Sequence, residues 1–218
     1  MDLLEVMKSR RSIRAFDKKL PTRPLIRECL DAATWAPSAT NRQPWEFIVL
    51  SGNALDKVNH ITNENFALRM QDRDAFGNPP EPLKKRQQEI METLMRVATE
   101  EGIDPGEVFE KSLQFFDAPV AVYFVTYKSD DDQYRLSTAA AIENFLLAAH
   151  ARGLGTCWLT VTVICHEEIK KHLGIGDDKE LLAGIALGYP LAECGLNTFE
   201  RTREPVDNIT RWLGFESP

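Results

Sequence analysis

The fold of this chain is constrained most by two apolar runs, each about as long as one strand. Residues 118–127 read APVAVYFVTY, and residues 181–187 read LLAGIAL before a turn at Gly188-Tyr189-Pro190. The first run is rich in β-branched and aromatic residues, which favour buried strands. Neither run approaches the roughly 20 apolar residues that a helix needs to cross a bilayer. Both patterns therefore predict strands in the core of a domain, and we expect no membrane span.

Shorter patterns predict the remaining elements. The stretches 45–50 (WEFIVL) and 155–162 (GTCWLTVT) are typical of strands. Apolar residues at helical spacing, with capping and stop signals, predict helices at 2–9, 22–35, 53–62, 82–101, 136–152 and 166–173. About four strands among many helices indicate an α+β domain.

Residues 63–114 differ in character from the rest of the chain. They hold the turn residues Gly77-Asn78-Pro79-Pro80, a polar helical run and little strand pattern. We interpret this range as a helical insertion and a candidate active-site lid, although a solvated helical hairpin without a catalytic part explains the pattern as well. Candidate aromatic pocket walls, which core packing would explain equally, are Phe66, Phe76, Phe109, Phe115 and Phe116.

The charge of the chain is unevenly distributed. Its 218 residues, expected to form a single domain over 1–218, carry a formal net charge of −7, which argues against bulk nucleic-acid binding. Residues 1–19 nevertheless hold six basic side chains against three acidic ones. A basic cluster in an acidic protein suggests one localised anionic partner.

Motifs for most catalytic strategies are missing from the sequence. It contains no G-x-S-x-G elbow, no H-E-x-x-H, no P-loop and no G-x-G-x-x-G, and its four histidines are scattered. The four cysteines form neither a C-x-x-C pair nor a zinc pattern, so we expect no metal. Such a chain can leave the difficult chemistry to an organic cofactor. Unpaired cysteines and an N-terminus without a signal-peptide pattern favour a cytoplasmic location.

The segment Arg10-Arg11-Ser12-Ile13-Arg14 is the clearest positive signal. In an extended backbone, side chains at alternating positions share one face, so Arg10, Ser12 and Arg14 would present two guanidinium groups and a hydroxyl together. That array suits a phosphate, because arginine pairs with phosphate oxygens through two parallel hydrogen bonds. A solvated basic turn after a helix is the alternative.

Five stretches together resemble the FMN-dependent nitroreductase family. RRSIRAF at 10–16 is followed by AATWAPSATNRQPWEF at 32–47, and the pair in this order and spacing is specific. AAAIENFLLAAHARGLGTCWLT at 139–160, LLAGIALGYP at 181–190 and the late Arg203-Glu204-Pro205-Val206 also fit. The resemblance covers about residues 1–60 and 118–210. The residues of the second motif are most similar to those of the branch that reduces nitroaromatic compounds.

The resemblance implies a nitroreductase-like fold with a central, mostly antiparallel sheet of four to five strands flanked by helices. It also implies a homodimer with FMN at its interface and an exchanged C-terminal arm. Ser38 and Asn41 would reach the FMN of the other subunit, and Thr160 would stand near flavin N5 as a candidate donor. Ala39 replaces the family's usual glycine, a substitution that would cost about 1 kcal/mol if this position needs a positive φ. The residues implied to bind FMN are Arg10, Arg11, Ser12, Arg14, Pro37, Ser38, Ala39, Asn41, Trp158, Leu159, Thr160 and Arg203.

The implied activity is a ping-pong transfer of hydride from NADH or NADPH through flavin N5 to a nitroaromatic or similar small electron acceptor. No catalytic acid or base from the protein is expected, because FMN carries the chemistry. Reductive dehalogenation, ene reduction and flavin fragmentation on the same fold stay open. So does a non-catalytic flavin-binding protein, whereas a small nucleic-acid binder fits the acidic chain poorly.

Overall fold

The computed structural model describes residues 2–71 and 79–215. Its strands are β1 (Trp45–Ser51), β2 (Val120–Tyr127), β3 (Gly155–Leu159) and β4 (Lys179–Gly188). Its helices are α1 (Leu3–Ser9), α2 (Arg23–Thr34), α3 (Asn53–Gln71), α4 (Glu81–Glu100), α5 (Pro105–Leu113), α6 (Gln133–Ala151), α7 (His166–Leu173), α8 (Gly195–Thr198) and α9 (Val206–Ile209). In these two ranges, none of the helices combines the length and apolar character that a bilayer span requires.

The four strands form one sheet in the order β1-β2-β4-β3, and every neighbouring pair is antiparallel. The two apolar runs that dominate the sequence are the central strands, with Val122 opposite Ile185. They are central because both of their faces are covered, as continuous apolar runs require. The predicted α+β class and antiparallel sheet are therefore confirmed.

The side chains of β2 alternate between two separate cores. Phe124 points to one face, where α2 and α6 contribute Ile26 and Phe145 to the packing. Tyr123 points to the other face and packs edge-on against Phe115, with a centroid distance of 5.6 Å. A three-layer arrangement with the sheet in the middle follows from this alternation.

Two of the element ends that differ from the sequence prediction have a clear structural reason. Helix α3 continues to Gln71 instead of ending at residue 62, because Phe66 packs on the core and Arg69 Nε donates a hydrogen bond to Glu168 Oε1 at 3.0 Å. Strand β3 ends at Leu159 instead of residue 162. Thr160 has α-helical angles (φ −83°, ψ −23°) and begins a tight turn, so its β-branched side chain misled the strand prediction.

Residues 63–71 and 79–114 are almost entirely helical, comprising the end of α3 with α4 and α5. Asp104 caps α5 by accepting a hydrogen bond from the Gly106 backbone N–H at 2.7 Å. Phe76 lies outside the described residues. The interpretation of 63–114 as an insertion and lid stays a prediction.

Candidate functional site

The basic segment leaves α1 and runs beside β3 at the edge of the sheet. The Ile13 backbone N–H donates to the Thr156 carbonyl at 2.9 Å, and Ser12 forms a parallel bridge to the same residue. Ile13 is buried against Gly155, where a Cβ atom would stand only 2.7 Å from Ile13 Cγ1. The main chain therefore holds this segment in an extended form, which is the condition for its alternate side chains to share a face, and Gly155 permits the close approach.

The side chains of this segment share one face only in part. Ser12 and Arg14 line a cleft beside β3. Arg10 ends α1 and turns instead toward α6, where its Nε lies 3.6 Å from Glu143 Oε1. Arg10 departs from the common face because it is the residue at which the chain leaves the helix.

A C-terminal strap, residues 195–204, lies against the basic segment. The Arg11 and Arg14 guanidinium carbons stand 5.8 and 5.7 Å from the centroid of the Phe199 ring, within cation–π range. Arg201 donates hydrogen bonds to the backbone carbonyls of Lys8 and Arg10. The strap thus brings further aromatic and cationic groups to the predicted phosphate residues.

Several guanidinium groups are crowded together here. Partial burial lowers the pKa of Arg201, and the neighbouring charges of Arg203, Arg11 and Arg10 lower it further. Sequence reasoning named Arg203 but missed Arg201, although the Arg-x-Arg spacing at 201–203 was a usable signal. Like charges at close range repel one another, so this cluster favours a bound anion.

Asn197 anchors the strap, and sequence reasoning gave it no role. Its buried side-chain oxygen accepts hydrogen bonds from the backbone N–H groups of Arg14 and Ala15 at 2.7 and 3.1 Å. Its amide nitrogen donates to the carbonyls of Ala15 and Leu191 at 2.8 and 2.9 Å. These four bonds use the full capacity of the amide group. Asn197 and Arg14 are 183 residues apart, so no local sequence pattern could indicate that they bond to each other.

A histidine stands behind the arginines on the last turn of α6. His150 Nε2 lies 2.8 Å from Ser9 Oγ. Burial lowers the pKa of His150 from its ordinary value of 6.5, and the charges of Arg10 and Arg201 lower it further. The imidazole is therefore held in its neutral form beside the guanidinium cluster.

The cleft has a volume of about 550 Å³ and apolar walls. Its floor is formed by the β3 residues Cys157, Trp158 and Leu159, next to Ser12 and Arg14. Burial raises the pKa of the Cys157 thiol, so it stays protonated. The roof comes from α4 and α5 with the turn after them, including Met91, Leu94, Met95, Val108, Phe109 and Phe116.

Only some of the predicted aromatic wall residues and flavin-edge residues line the cleft. Phe109 and Phe116 line the cleft, whereas Phe115 is fully buried in the core. Trp158 and Leu159 reach the cleft floor. Thr160 lies just beyond the end of β3 and is exposed, and its role as a donor to flavin N5 stays a prediction.

The loop that holds Pro37, Ser38, Ala39 and Asn41 lies elsewhere in the chain. Arg42 stacks over Tyr134 at the first turn of α6, at 5.8 Å, whereas the arginine cluster meets His150 at the last turn. Sixteen residues of helix correspond to about 24 Å. One chain therefore does not bring this loop to its own cleft, and the resemblance assigns these residues to the second subunit.

The backbone of the same loop answers the question that Ala39 raised. Among the described residues, its positive φ angles fall on Thr40 (50°), Asn41 (56°) and Gln43 (48°), not on Ala39. Ser38 Oγ stabilises the turn by accepting a hydrogen bond from the Gln43 N–H at 3.0 Å. The cost that alanine would incur at a positive φ does not arise.

The chemistry of the site fits a phosphomonoester attached to a flat, apolar ring system. Within the described part of the chain, the buried Arg10 Nε makes no hydrogen bond, and its ion pair with Glu143 Oε1 is long, at 3.6 Å. A phosphate carries nearly two negative charges and would offset the crowded guanidinium groups. The adjoining apolar cleft offers space for a ring system beside β3.

Comparison with known proteins agrees with this chemistry. A profile of the Nitroreductase family matches residues 7–189. The 4-nitrobenzoate reductase of Pseudomonas putida is 29% identical over 223 aligned residues, which cover 99% of this chain and 97% of the relative.

Two solved structures show the shared fold. The FMN and NADPH-dependent nitroreductase NfnB from Sphigopyxis sp. strain HMH matches with a TM-score of 0.90 at 23% identity, over 99% of this chain and 100% of that chain. The FMN-dependent nitroreductase NfnB from Mycobacterium smegmatis, in complex with NADPH, matches with a TM-score of 0.84 at 22% identity, over 96% and 97%. Since the family profile spans most of the sequence, the chain belongs to the nitroreductase family.

Proposed function

We propose that this protein is an FMN-dependent NAD(P)H oxidoreductase that reduces nitroaromatic compounds or similar small electron acceptors. One observation carries the proposal: a cluster of guanidinium groups adjoins an apolar cleft at the edge of the sheet. The cluster suits the phosphate of FMN, and the cleft suits a flat ring with a second aromatic molecule above it. The names of the relatives, which include a 4-nitrobenzoate reductase, support the same acceptor class.

Different side chains would bind different parts of FMN. Arg10, Arg11, Arg201 and Arg203 would hold the phosphate, while Ser12 and Arg14 would contact the ribityl chain and the pyrimidine edge. Trp158 and Leu159 would lie along the ring, and the Thr160 region would supply a donor near N5. Bound FMN would accept a hydride from NADH or NADPH and pass it to the acceptor.

The protein's own groups would position the reactants and exclude water. The walls of the cleft are mostly carbon and sulfur, and the hydroxyl and guanidinium groups among them come from Ser12 and Arg14 of the basic segment and from Ser112 of α5. Burial keeps Cys157 protonated, and arginine does not deprotonate in proteins, so neither Cys157 nor Arg14 serves as a catalytic acid or base. Catalysis would therefore rest on holding ring and acceptor in contact within an apolar site.

The working unit that we propose is a homodimer in the cytoplasm. Five large apolar side chains near the C-terminus are exposed in the single chain: Val206, Ile209, Trp212, Leu213 and Phe215. Strand β1 pairs with β2 on one side and is an edge strand within the described sheet. A second copy would cover this arm and supply Pro37, Ser38, Ala39 and Asn41 to the cleft. The four free cysteines fit a reducing compartment.

The test is to purify the protein with FMN and follow the flavin spectrum without oxygen. NADH or NADPH should bleach the yellow colour, and 4-nitrobenzoate or nitrobenzene should restore it. Tight FMN binding without bleaching would point to a non-catalytic flavin protein, and failure to bind FMN would contradict the proposal. Light scattering should give twice the chain mass, whereas a monomer that turns over would contradict the dimer.

A further inference from the structure

The strap joins the roof of the cleft as well as the basic segment. At one end of α4, Glu101 Oε1 accepts a hydrogen bond from the Gly195 N–H at 3.1 Å. In the second turn of α4, near its other end, Arg86 Nη2 lies 2.7 Å from Glu204 Oε2. These two attachment points are separated by fifteen residues of chain, or about 22 Å of helix. The strap therefore runs along α4 in the opposite direction.

The carboxylate of Glu204 is held on both of its oxygens. Oε1 accepts a hydrogen bond from Asn208 Nδ2 at 2.7 Å, while Oε2 faces Arg86. The Asn208 bond and the Arg86 charge lower the pKa of Glu204, so it is ionised at neutral pH. A carboxylate that is bonded twice has a defined position, unlike most surface acids.

The opposite side of the strap carries the groups that face the anion site. Arg201 bonds to the backbone of Lys8 and Arg10, and Arg203 adds charge to the same cluster. Glu204 follows Arg203 directly in the chain. A phosphate that draws these arginines inward therefore acts on a segment whose next residue is attached to α4.

We propose that Arg86 and Glu204 are positioning residues that couple phosphate binding at the strap to the placement of α4 over the cleft. This inference rests on the proposed function, because the phosphate is that of FMN. Met91 and Met95 lie one to three turns beyond Arg86 on α4 and line the roof. When the phosphate is bound, the ion pair holds these side chains over the acceptor position. By linkage, a fixed roof then favours FMN to the same degree.

The test is hydrogen–deuterium exchange of the α4 amides, with and without saturating FMN, in wild type and Arg86→Ala. FMN should slow exchange in wild-type α4, and the slowing factor should fall in the variant. The FMN dissociation constant should rise about threefold, in the range of an exposed ion pair. Riboflavin, which lacks the phosphate, should slow α4 exchange less than FMN does.

A matched control separates coupling from simple loosening. Arg96→Ala removes an equally short ion pair, Arg96–Glu100 at 2.7 Å, which lies within α4 and makes no bond to the strap. Arg96→Ala should keep the wild-type slowing factor, which is the ratio of α4 exchange rates without and with FMN. The charge swap Arg86→Glu with Glu204→Arg should recover part of the slowing that Arg86→Ala loses. If Arg86→Ala raised exchange equally with and without FMN, the coupling would be wrong while the proposed function stood. If wild type bound no FMN, both would be wrong.

Discussion

The floor and the roof of the cleft are held in place by different interactions. On the floor, Ile13 and β3 are joined through backbone hydrogen bonds, and Gly155 brings the two segments into close contact. On the roof, Met91, Met95 and Phe109 are 43%, 48% and 42% exposed. Helix α4 packs on the core through Leu94, Val97 and Ala98, and it is joined to the strap by the Arg86–Glu204 ion pair and by the hydrogen bond from Gly195 to Glu101.

This difference suggests that the floor holds the cofactor and that the roof accommodates the acceptor. Main-chain bonds and close packing allow little movement, which suits a surface that must hold a cofactor in one position. Methionine is unbranched and polarisable, so a roof of exposed methionines can adapt to acceptors of different shape. We therefore expect floor substitutions to affect FMN binding and stability, and substitutions of the exposed roof residues to affect acceptor binding.

The largest effect should follow from removing arginines beside the floor. In Arg10→Ala with Arg14→Ala, the FMN dissociation constant should rise at least about 100-fold, because each hydrogen bond to a charged group contributes about 1.5–3 kcal/mol. Quenching of flavin fluorescence measures this constant. Arg23→Ala with Arg27→Ala removes the same charge from α2 and should bind FMN as wild type does. A double variant that purified with full flavin would refute the assignment of Arg10 and Arg14 to FMN binding.

Close packing on the floor leads to the second prediction. Gly155→Ala places a Cβ atom 2.7 Å from Ile13 Cγ1 and should lower the free energy of unfolding. The expected loss is about 1–3 kcal/mol, typical of overpacking, and urea denaturation measures it. Adding Ile13→Ala should relieve part of the clash beyond the sum of the single changes. Unchanged stability in Gly155→Ala would show that the floor is no more rigid than the roof.

Much of the sheet and of its flanking helices could be predicted from the sequence because their signals are local. The apolar run at 118–127 indicated the central strand, and Thr22 indicated the cap of α2, where it accepts a hydrogen bond from the Leu25 N–H. The sequence left open whether the basic segment is extended or forms a solvated turn, because the order Arg10-Arg11-Ser12-Ile13-Arg14 fits both. Thr160 was placed in a strand because composition does not show where a ladder ends.

The strap could not be predicted in the same way, because its role depends on contacts between distant parts of the chain. Asn197 bonds to Arg14 across 183 residues, and Arg201 bonds to Arg10 across 191. An asparagine in a polar tail gives no sign that its amide will be buried. The assignment of residues 37–41 to a second subunit came from the family resemblance, since one chain keeps them apart from the cleft.

The roof should respond differently from the floor to loss of a side chain. Met95→Ala, at a half-exposed position, should change the free energy of unfolding by no more than about 0.5 kcal/mol. It should raise the acceptor KM several-fold while the rate of flavin reduction by NADPH stays the same. The neighbouring Leu94→Ala, at a buried position, should instead cost about 2–4 kcal/mol. Equal stability losses in the two variants would remove the distinction between the exposed, adaptable residues of the roof and its residues that pack on the core.

The smallest expected effect is a pH dependence of stability that arises from His150, which lies beside Arg10 and Arg201. Because burial and two arginines lower the pKa of His150, the folded chain holds this proton less tightly than the unfolded chain. Stability should therefore be full above the ordinary value of 6.5 and decline as pH falls through the lowered value. His150→Gln keeps a partner for Ser9 and should flatten this decline in melting temperature, whereas His60→Gln, at an exposed position on α3, should not. Bound FMN should also flatten it, since its phosphate offsets Arg10 and Arg201. An FMN-free wild type with the same pH profile as His150→Gln would show that the arginine cluster does not act on this imidazole.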